Sequence, residues 1–211
     1  LMGERLLKVK STHGPDFIGG FSSARTTNEE NYLFQKFMRA AVGTNNVDHC
    51  ARLCHASTVA GLAKAFGSGA MTNSIDEIID SDCILVTGSN TTETHPIVSL
   101  EIKKAVSRGA RLIVIEPRNI ELCDIAEINL HQRPGTDVAW LNGMMHVIIE
   151  EGLEDREFIE ESCENFDAVR EAVKEYTPER VERITGIPGD DLRRAARILA
   201  SSSKMSMWQD T

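Results

Sequence analysis

The chain has 211 residues, of which 41% are hydrophobic and 26% are charged, a composition typical of a globular protein. This length is enough for one large α/β domain, or for one domain and part of another. Its formal net charge of −9 argues against non-specific binding to nucleic acid, which needs a basic surface. No apolar run approaches the roughly 18 residues of a membrane span, so direct membrane insertion is not expected.

The first 47 residues contain a short apolar run and a helical pattern. The glycine-containing run at 16–23 predicts a strand. Thr27, followed by glutamates, is typical of a helix N-cap with acids in the first turn, and apolar residues recur at helical spacing until Gly43, a normal helix stop. We predict that residues 1–47 form part of a discontinuous α/β domain.

Residues 48–211 alternate between short apolar runs and helical patterns. Strand, helix and strand at this spacing make βαβ units with right-handed crossovers. We therefore predict an α/β fold with a doubly wound, mostly parallel, Rossmann-like sheet and a helical C-terminal part. The predicted elements are a capping box at 74–77, strands at 83–87, 111–115 and 127–130, helices at 96–108 and 137–150, acidic helical pieces from 155 to 201, and a strand that begins at 205.

Three loops that follow predicted strands, at 88–96, 116–118 and 134–137, are rich in groups that bind ligands. In open α/β sheets, ligands bind beyond the carboxyl ends of the strands. Turn and cap formation is the alternative interpretation, because Asp, Asn and Gly favour turns. Three such loops in succession favour a nucleotide, but neither G-x-G-x-x-G nor G-x-x-x-x-G-K-[ST] occurs, which disfavours a plain NAD site or a P-loop. The side chains suited to a base, ribose or phosphate are Asn90, Glu93, Glu116, Arg118 and Asp137, and Gly88 and Gly135 permit close backbone approach.

Five cysteines are spread along the chain, at positions 50, 54, 83, 123 and 163. Their odd number and wide spacing disfavour a disulfide scaffold and favour a reducing compartment. Cys83 and Cys123 lie in apolar surroundings, so we expect them to be buried.

Cys54 directly precedes His55 at the start of a helical pattern. The spacing from Cys50 matches the beginning of a radical-SAM cluster motif, but Ser57 stands where the third cysteine would be. The absence of C-x-x-C weakens structural zinc and thioredoxin-type redox chemistry, and an Fe–S cluster needs more thiolates than this segment supplies. A nucleophile with its base, a capping histidine, or one thiolate ligand of a metal whose other ligands come from a cofactor remain open.

These residues resemble the catalytic subunit of molybdenum- or tungsten-containing formate dehydrogenases, of the molybdopterin oxidoreductase family. The resemblance covers nearly the whole chain from Gly14 onward. The Cys54-His55 pair is its most specific part. The matching segments are 28–32, 44–48, 50–52, 54–55, 59–62, 67–73, 95–96, 116–118, 134–137, 176–178 and 184–186.

The resemblance implies a molybdenum or tungsten centre held by two molybdopterin guanine dinucleotides, a sulfido ligand and Cys54. It implies oxidation of formate to CO2, with His55 as the adjacent catalytic residue. Residues 48–211 would then be the dinucleotide-binding domain. The residues placed by the resemblance in the guanosine and pyrophosphate site are Gly88, Asn90, Glu93, His95, Glu116, Pro117, Arg118, Gly135 and Asp137.

Other features of the family have no counterpart in the sequence. Since the chain opens on Leu1 and stops where a strand begins, we expect a piece of a longer polypeptide whose remainder supplies a [4Fe–4S] cluster, the formate-binding arginine and the domain that closes over the pterins. The piece alone should therefore be inactive. We expect Fe–S or flavin partner subunits that accept the electrons, and a cytoplasmic location unless an upstream twin-arginine signal directs export.

Two other functions remain open at this point. One is a different molybdopterin oxidoreductase, such as a formylmethanofuran dehydrogenase-like protein. The other is a non-catalytic subunit with the same fold, like the one in respiratory complex I, although the intact Cys54-His55 pair argues against it.

Overall fold

The computed structural model describes residues 1–71 and 73–209, which form two compact units divided after Met71. Thr72, in the glycine-rich segment 67–73, and residues 210–211, at the end of the last predicted strand, lie outside the described residues. The predicted domain boundary between residues 47 and 48 stays a prediction. Within the described ranges, no helix is both long and apolar enough to cross a membrane.

The first unit combines helices with a small parallel sheet. In it Gly20 lies opposite Val47. Of the predicted strand at 16–23, only Gly20–Ser22 pairs as a strand, because Pro15 begins a short 3-10 helix, a position that proline favours. The elements are α1 (Met2–His13), a 3-10 helix (Pro15–Phe17), β1 (Gly20–Ser22), α2 (Asn28–Lys36), a π-helix (Phe37–Val42), β2 (Val47–His49), a 3-10 helix (Cys50–Arg52) and α3 (Ala56–Phe66).

The start and stop of the helix predicted after Thr27 are confirmed. Thr27 Oγ1 accepts a hydrogen bond from the Glu30 amide at 3.3 Å, and the Glu30 carboxylate accepts one from the Thr27 amide at 2.8 Å, which is a capping box. Between these ends the winding changes from α to π at Phe37, and Gly43 adopts φ 93°. Of the apolar side chains on this helix, Met38 and Val42 are buried with Ile18, whereas several aromatic and aliphatic ones are exposed.

The second unit is built on a four-stranded parallel sheet in the order β5-β4-β3-β6. Val86 of the central strand lies opposite Val114 on one side and Trp208 on the other. The elements are a 3-10 helix (Ile75–Asp80), β3 (Cys83–Thr87), α4 (Thr91–Thr94), α5 (Pro96–Ser107), β4 (Arg111–Ile115), a 3-10 helix (Glu121–Ile125), β5 (Ile128–Leu130), α6 (Asp137–Glu150), α7 (Arg156–Ser162), α8 (Phe166–Val173), α9 (Pro178–Thr185), α10 (Gly189–Ala200) and β6 (Met205–Gln209).

Helices cover both faces of this sheet. Alternate strand residues such as Leu85 and Ile113 pack against α6, α9 and α10, and their neighbours Ile84 and Leu112 pack against α5 and the two 3-10 helices. Because both faces are buried, the central strands read as continuous apolar runs. The predicted doubly wound α/β fold is confirmed.

Two smaller predictions for this unit, the burial of two cysteines and a capping box, are also confirmed. Cys83 and Cys123 are buried, and burial raises the pKa of the Cys83 thiol. The capping box at Ser74 is present, with the Glu77 carboxylate accepting from the Ser74 amide at 2.7 Å, although the element it opens is a 3-10 helix rather than an α-helix.

Candidate functional site

Cys54 and His55 lie at the turn that leads from the small sheet of the first unit into α3. The 3-10 helix after β2 ends at Arg52, and the Cys54 amide then donates to the Cys50 carbonyl oxygen at 2.9 Å. His55 is the N-cap of α3, and its carbonyl oxygen accepts from the Val59 amide at 2.7 Å. Cys54 is exposed, and its Sγ lies 3.3 Å from His55 Nδ1. The turn therefore presents a thiol in contact with an imidazole.

His55 carries two unfavourable features. Its backbone is left-handed, with φ 60° and ψ 13°, a conformation that costs a residue with a Cβ roughly 1–2 kcal/mol. Its Nε2 is buried without a hydrogen-bond partner among the residues that the structure describes, and an unsatisfied buried polar atom costs about 1–3 kcal/mol. Features of this kind cluster at functional sites.

Cys50, the other cysteine of this segment, is engaged in local structure. Its Sγ accepts from the Ala24 amide at 3.1 Å and lies 3.7 Å from His49 Nδ1. Among residues 1–71 and 73–209, no three histidine, cysteine or carboxylate side chains lie together in an arrangement that could hold a metal ion. The donor chemistry of the turn is that of a single soft sulfur, which suits one bond to a thiophilic metal.

The glycine-rich segment after α3 packs against that helix. A Cβ on Gly69 would lie 2.6 Å from Val59 Cγ1 and 2.9 Å from the Val59 carbonyl oxygen. Since backbone cannot yield as a side-chain tip can, this close approach requires glycine at position 69.

In the second unit, the loop after β3 carries four of the predicted site residues. Gly88, with φ 55°, donates its amide to the Ile115 carbonyl oxygen of the neighbouring strand at 3.1 Å. Asn90 is half-buried and precedes α4, whereas Glu93 and His95 are exposed. His95 Nδ1 lies 3.1 Å from Thr94 Oγ1, and its ring meets the Trp208 ring edge to face with centroids 5.4 Å apart.

The loop after β4 places a buried carboxylate beside an exposed guanidinium. Glu116 is 5% exposed, and its Oε1 accepts from Arg118 Nε at 3.0 Å and from the Arg118 amide at 3.3 Å. The Glu116 carbonyl oxygen lies 2.8 Å from His131 Nδ1, across the edge to β5. Pro117 is exposed between the two charged residues. Because the Arg118 side chain is itself 68% exposed, its guanidinium keeps most of its donors toward solvent.

The loop after β5 brings Asp137 to the same edge of the sheet. Gly135 turns the chain with φ 80°, and Asp137 begins α6. The Asp137 carboxylate accepts from Trp140 Nε1 at 3.1 Å and from Gln132 Nε2 at 3.4 Å. The structure thus gathers the nine predicted nucleotide-site residues at the carboxyl ends of three adjacent strands, β3, β4 and β5.

Within residues 1–71 and 73–209, four polar atoms at this edge are buried without hydrogen-bond partners, and sequence reasoning assigned none of their side chains to the site. Each such atom costs about 1–3 kcal/mol, so their concentration beyond the strand ends is what a ligand-binding edge would show. Ser89 and Thr91 lie within a loop that the sequence did single out, but burial of a hydroxyl cannot be read from sequence. The atoms are Ser89 Oγ, Thr91 Oγ1, Gln132 Oε1 and Trp208 Nε1.

Another concavity in the second unit lies away from the strand ends. A cavity of about 810 Å³ is lined by residues of α7 and α8 and the segments before them, and it contains none of the predicted site residues. Its walls mix acidic and basic side chains, and several of these already form ion pairs with one another. The strand-end loops, with their unpartnered polar atoms, are the better candidate for a ligand.

Comparison with known proteins identifies the family. The family model described as molybdopterin oxidoreductase matches residues 1–208. The F420-dependent formate dehydrogenase subunit alpha of Methanocaldococcus jannaschii is 48% identical over 192 residues, which is 91% of this chain and 28% of that protein. Formate dehydrogenase H of Escherichia coli is 45% identical over 209 residues, 98% of this chain and 29% of that protein.

A solved structure agrees with these relatives. Acetylene hydratase from Pelobacter acetylenicus superposes with a TM-score of 0.65 at 30% identity, covering 98% of this chain and 28% of that one. The chain spans less than a third of the length of each of these proteins. The predicted resemblance to formate dehydrogenase catalytic subunits is confirmed, and the chain belongs to the molybdopterin oxidoreductase family.

Proposed function

We propose that this chain is part of the catalytic subunit of a formate dehydrogenase, which oxidises formate to CO2 at a molybdenum or tungsten centre bound by two molybdopterin guanine dinucleotides and by Cys54. The observation that carries the proposal is the contact of the exposed Cys54 thiol with His55 Nδ1 at 3.3 Å, in a chain 45% to 48% identical to formate dehydrogenase subunits. Because the chain spans less than a third of those relatives, the activity of the whole protein is part of the proposal.

Cys54 would be the protein ligand of the metal. A metal-bound thiol is deprotonated, and the exposed position of Cys54 on a turn leaves its sulfur accessible to a cofactor. When bound, the metal and its pterins supply the two-electron redox chemistry, while the protein supplies orientation and electrostatics.

His55 would hold and move a proton at Nε2. With Cys54 as a thiolate, which only accepts hydrogen bonds, the imidazole must carry its hydrogen on Nδ1 to donate to the sulfur. Nε2 is then the basic nitrogen, and it is the atom that lacks a partner in the described structure. An imidazole with an unprotonated ring nitrogen can accept the proton that formate oxidation releases.

The three strand-end loops would bind the guanosine and pyrophosphate parts of the cofactor. The exposed guanidinium of Arg118, with one edge on Glu116, has donors left for a phosphate. Gly88 and Gly135 bring backbone close to the edge, and the unpartnered polar atoms there are supporting evidence for a polar ligand. Asn90, Glu93, His95, Pro117 and Asp137 would complete the site.

The other parts of the proposal concern the rest of the enzyme. The relative from Methanocaldococcus jannaschii is named as an alpha subunit, which supports partner subunits that carry electrons away through Fe–S or flavin groups. The [4Fe–4S] cluster and the formate-binding arginine stay predictions about the remainder of the polypeptide.

The test is formate-dependent reduction of a viologen dye by the full-length protein purified from its host, together with its metal, pterin and GMP contents. We expect activity in the wild type, and none in Cys54→Ala. Cys163→Ala, which removes another exposed thiol, is the matched control and should keep the wild-type rate.

Substrate profiling separates the alternatives. A protein that binds the cofactor but acts on formylmethanofuran or acetylene, and not on formate, would leave the family assignment in place and refute the proposed substrate. Absence of both metal and pterin from the native protein would instead favour a non-catalytic subunit.

A further inference from the structure

The carboxylate of Asp137 is held from one side only. Its Oδ1 accepts from Trp140 Nε1 at 3.1 Å and from Gln132 Nε2 at 3.4 Å. A carboxylate oxygen has about two acceptor sites, so these two donors fill Oδ1. Asp137 itself is exposed, and its Oδ2 accepts from no donor within the described parts of the chain. The carboxylate is therefore fixed in orientation, with one oxygen left over.

Both donors are buried, which is uncommon for such side chains. Gln132 is 5% exposed and Trp140 is 1% exposed. Since a carboxylate only accepts, the amide nitrogen of Gln132 must face Asp137, and the amide oxygen faces away. That oxygen is buried, and no donor in the described part of the chain bonds to it. A buried glutamine with half of its amide unsatisfied destabilises the fold, so its hydrogen bond to Asp137 calls for an explanation beyond stability.

We propose that Gln132 and Trp140 are positioning residues that fix Asp137 so that Oδ2 accepts the N1–H and N2–H donors of the guanine base of the cofactor. This inference rests on the proposed function, and it extends it by naming what sets base specificity. Guanine presents two adjacent N–H donors on that edge, whereas adenine presents an amino donor beside an acceptor nitrogen. An acceptor oxygen that cannot turn away discriminates between the two, because adenine would place a lone pair against it.

A purely structural role for the same contacts predicts different behaviour. A buried indole N–H needs an acceptor, and Asp137 would satisfy that need even if it touched no ligand. In that case substitutions at Gln132 and Trp140 would alter stability, but the cofactor would be retained as before.

The experiment measures how fast the cofactor leaves the full-length holoenzyme. Protein is incubated and ultrafiltered, and the GMP that acid hydrolysis liberates from filtrate and retentate is quantified. We expect release about tenfold faster in Gln132→Leu and in Trp140→Phe, the scale of one lost hydrogen bond to a charged group. In an Asp137→Ala background, neither substitution should accelerate release further, because both act through that carboxylate.

Thermal stability supplies the control. Gln132→Leu removes an unsatisfied amide oxygen and should not lower Tm, so faster release would not follow from unfolding. Val147→Ala truncates a buried side chain of the same helix, 3% exposed, and should lower Tm without changing release. If Trp140→Phe does not fold, the GMP release of Gln132→Leu, measured in the wild-type and in the Asp137→Ala background, decides the question alone.

Two results would overturn the inference while leaving the proposed function intact. One is unchanged GMP release in Gln132→Leu when Asp137→Ala releases GMP faster. The other is additivity of either substitution with Asp137→Ala. Absence of GMP from the wild-type protein would refute the proposed function, and this inference with it.

Discussion

Replacing His55 by glycine should stabilise α3 and reduce activity at the same time. The left-handed backbone of His55, φ 60° and ψ 13°, costs a residue with a Cβ about 1–2 kcal/mol relative to glycine. Glycine also gives the unfolded chain more conformational freedom, which offsets roughly 0.5–1 kcal/mol of the gain in stability. His55→Ala keeps the backbone cost but removes the ring, so the difference between the two variants isolates the backbone effect. We expect His55→Gly to be more stable than His55→Ala by about 1 kcal/mol.

Amide hydrogen exchange in α3 is the appropriate measurement, because it reports local stability within a large protein. A difference of 1 kcal/mol corresponds to exchange about fivefold slower in His55→Gly than in His55→Ala. Formate-dependent dye reduction should fall about 100-fold in both variants, the low end for loss of a general acid–base group.

Asn165 provides the matched control. It is the other non-glycine residue with positive φ in the described chain, with φ 58°, and it is the N-cap of α8. Asn165→Gly should stabilise α8 by less, since asparagine tolerates this conformation better than histidine, and the rate of formate oxidation should not change. Exchange in α3 as fast in His55→Gly as in His55→Ala would refute the strain reasoning, and a wild-type rate in His55→Gly would refute the proton-transfer role.

Two further predictions concern the sheet and helices of the second unit. Gly143→Ala should destabilise the protein by about 1–3 kcal/mol, measured as a lower Tm. The reason is that the added alanine Cβ would lie 2.7 Å from Val181 Cγ2 and 2.9 Å from Leu192 Cδ2. An unchanged Tm would contradict the packing of α6 on α9 and α10. The Arg111 guanidinium donates to the Glu127 carboxylate at 2.7 and 2.8 Å and lowers the pKa of that carboxyl. This half-exposed pair adds ~0.5 kcal/mol to the free energy of unfolding. That contribution is present above about pH 4.3 and is lost as the pH falls further. Chemical denaturation of wild type and Arg111→Met across pH 3–7 should show their difference vanish in acid, and a difference that grows in acid would reverse the assigned sign.

Much of the second unit could be predicted because its strands are buried on both faces. The runs at Cys83–Thr87 and Arg111–Ile115 are apolar at every position or nearly so, and each is bounded by recognisable turn or cap residues. The change from α to π winding at Phe37 and the 3-10 winding after Ser74 could not be predicted. These depend on packing, whereas a capping pattern specifies only where a helical segment begins.

The candidate site divides in a similar way. The pair Cys54-His55 and the strand-end loops stand out in sequence because their residue types and positions suit ligand binding. The left-handed conformation of His55 does not, because residues other than glycine seldom adopt it and no local signal requires it. The one-sided anchoring of Asp137 also could not be predicted, since it depends on the burial of Gln132 and Trp140, which tertiary contacts determine.

The central claim is that Cys54 bonds to the metal, and selenium can report on that bond directly. Full-length protein is prepared with selenocysteine in place of Cys54, and separately with selenocysteine in place of Cys163 as the control. Selenium-edge X-ray absorption of the first protein should show a molybdenum or tungsten neighbour at bonding distance, and the second should show only light-atom neighbours. Selenium at position 54 that has only light neighbours, in a protein that contains the metal and oxidises formate, would contradict the assignment of Cys54 as the ligand.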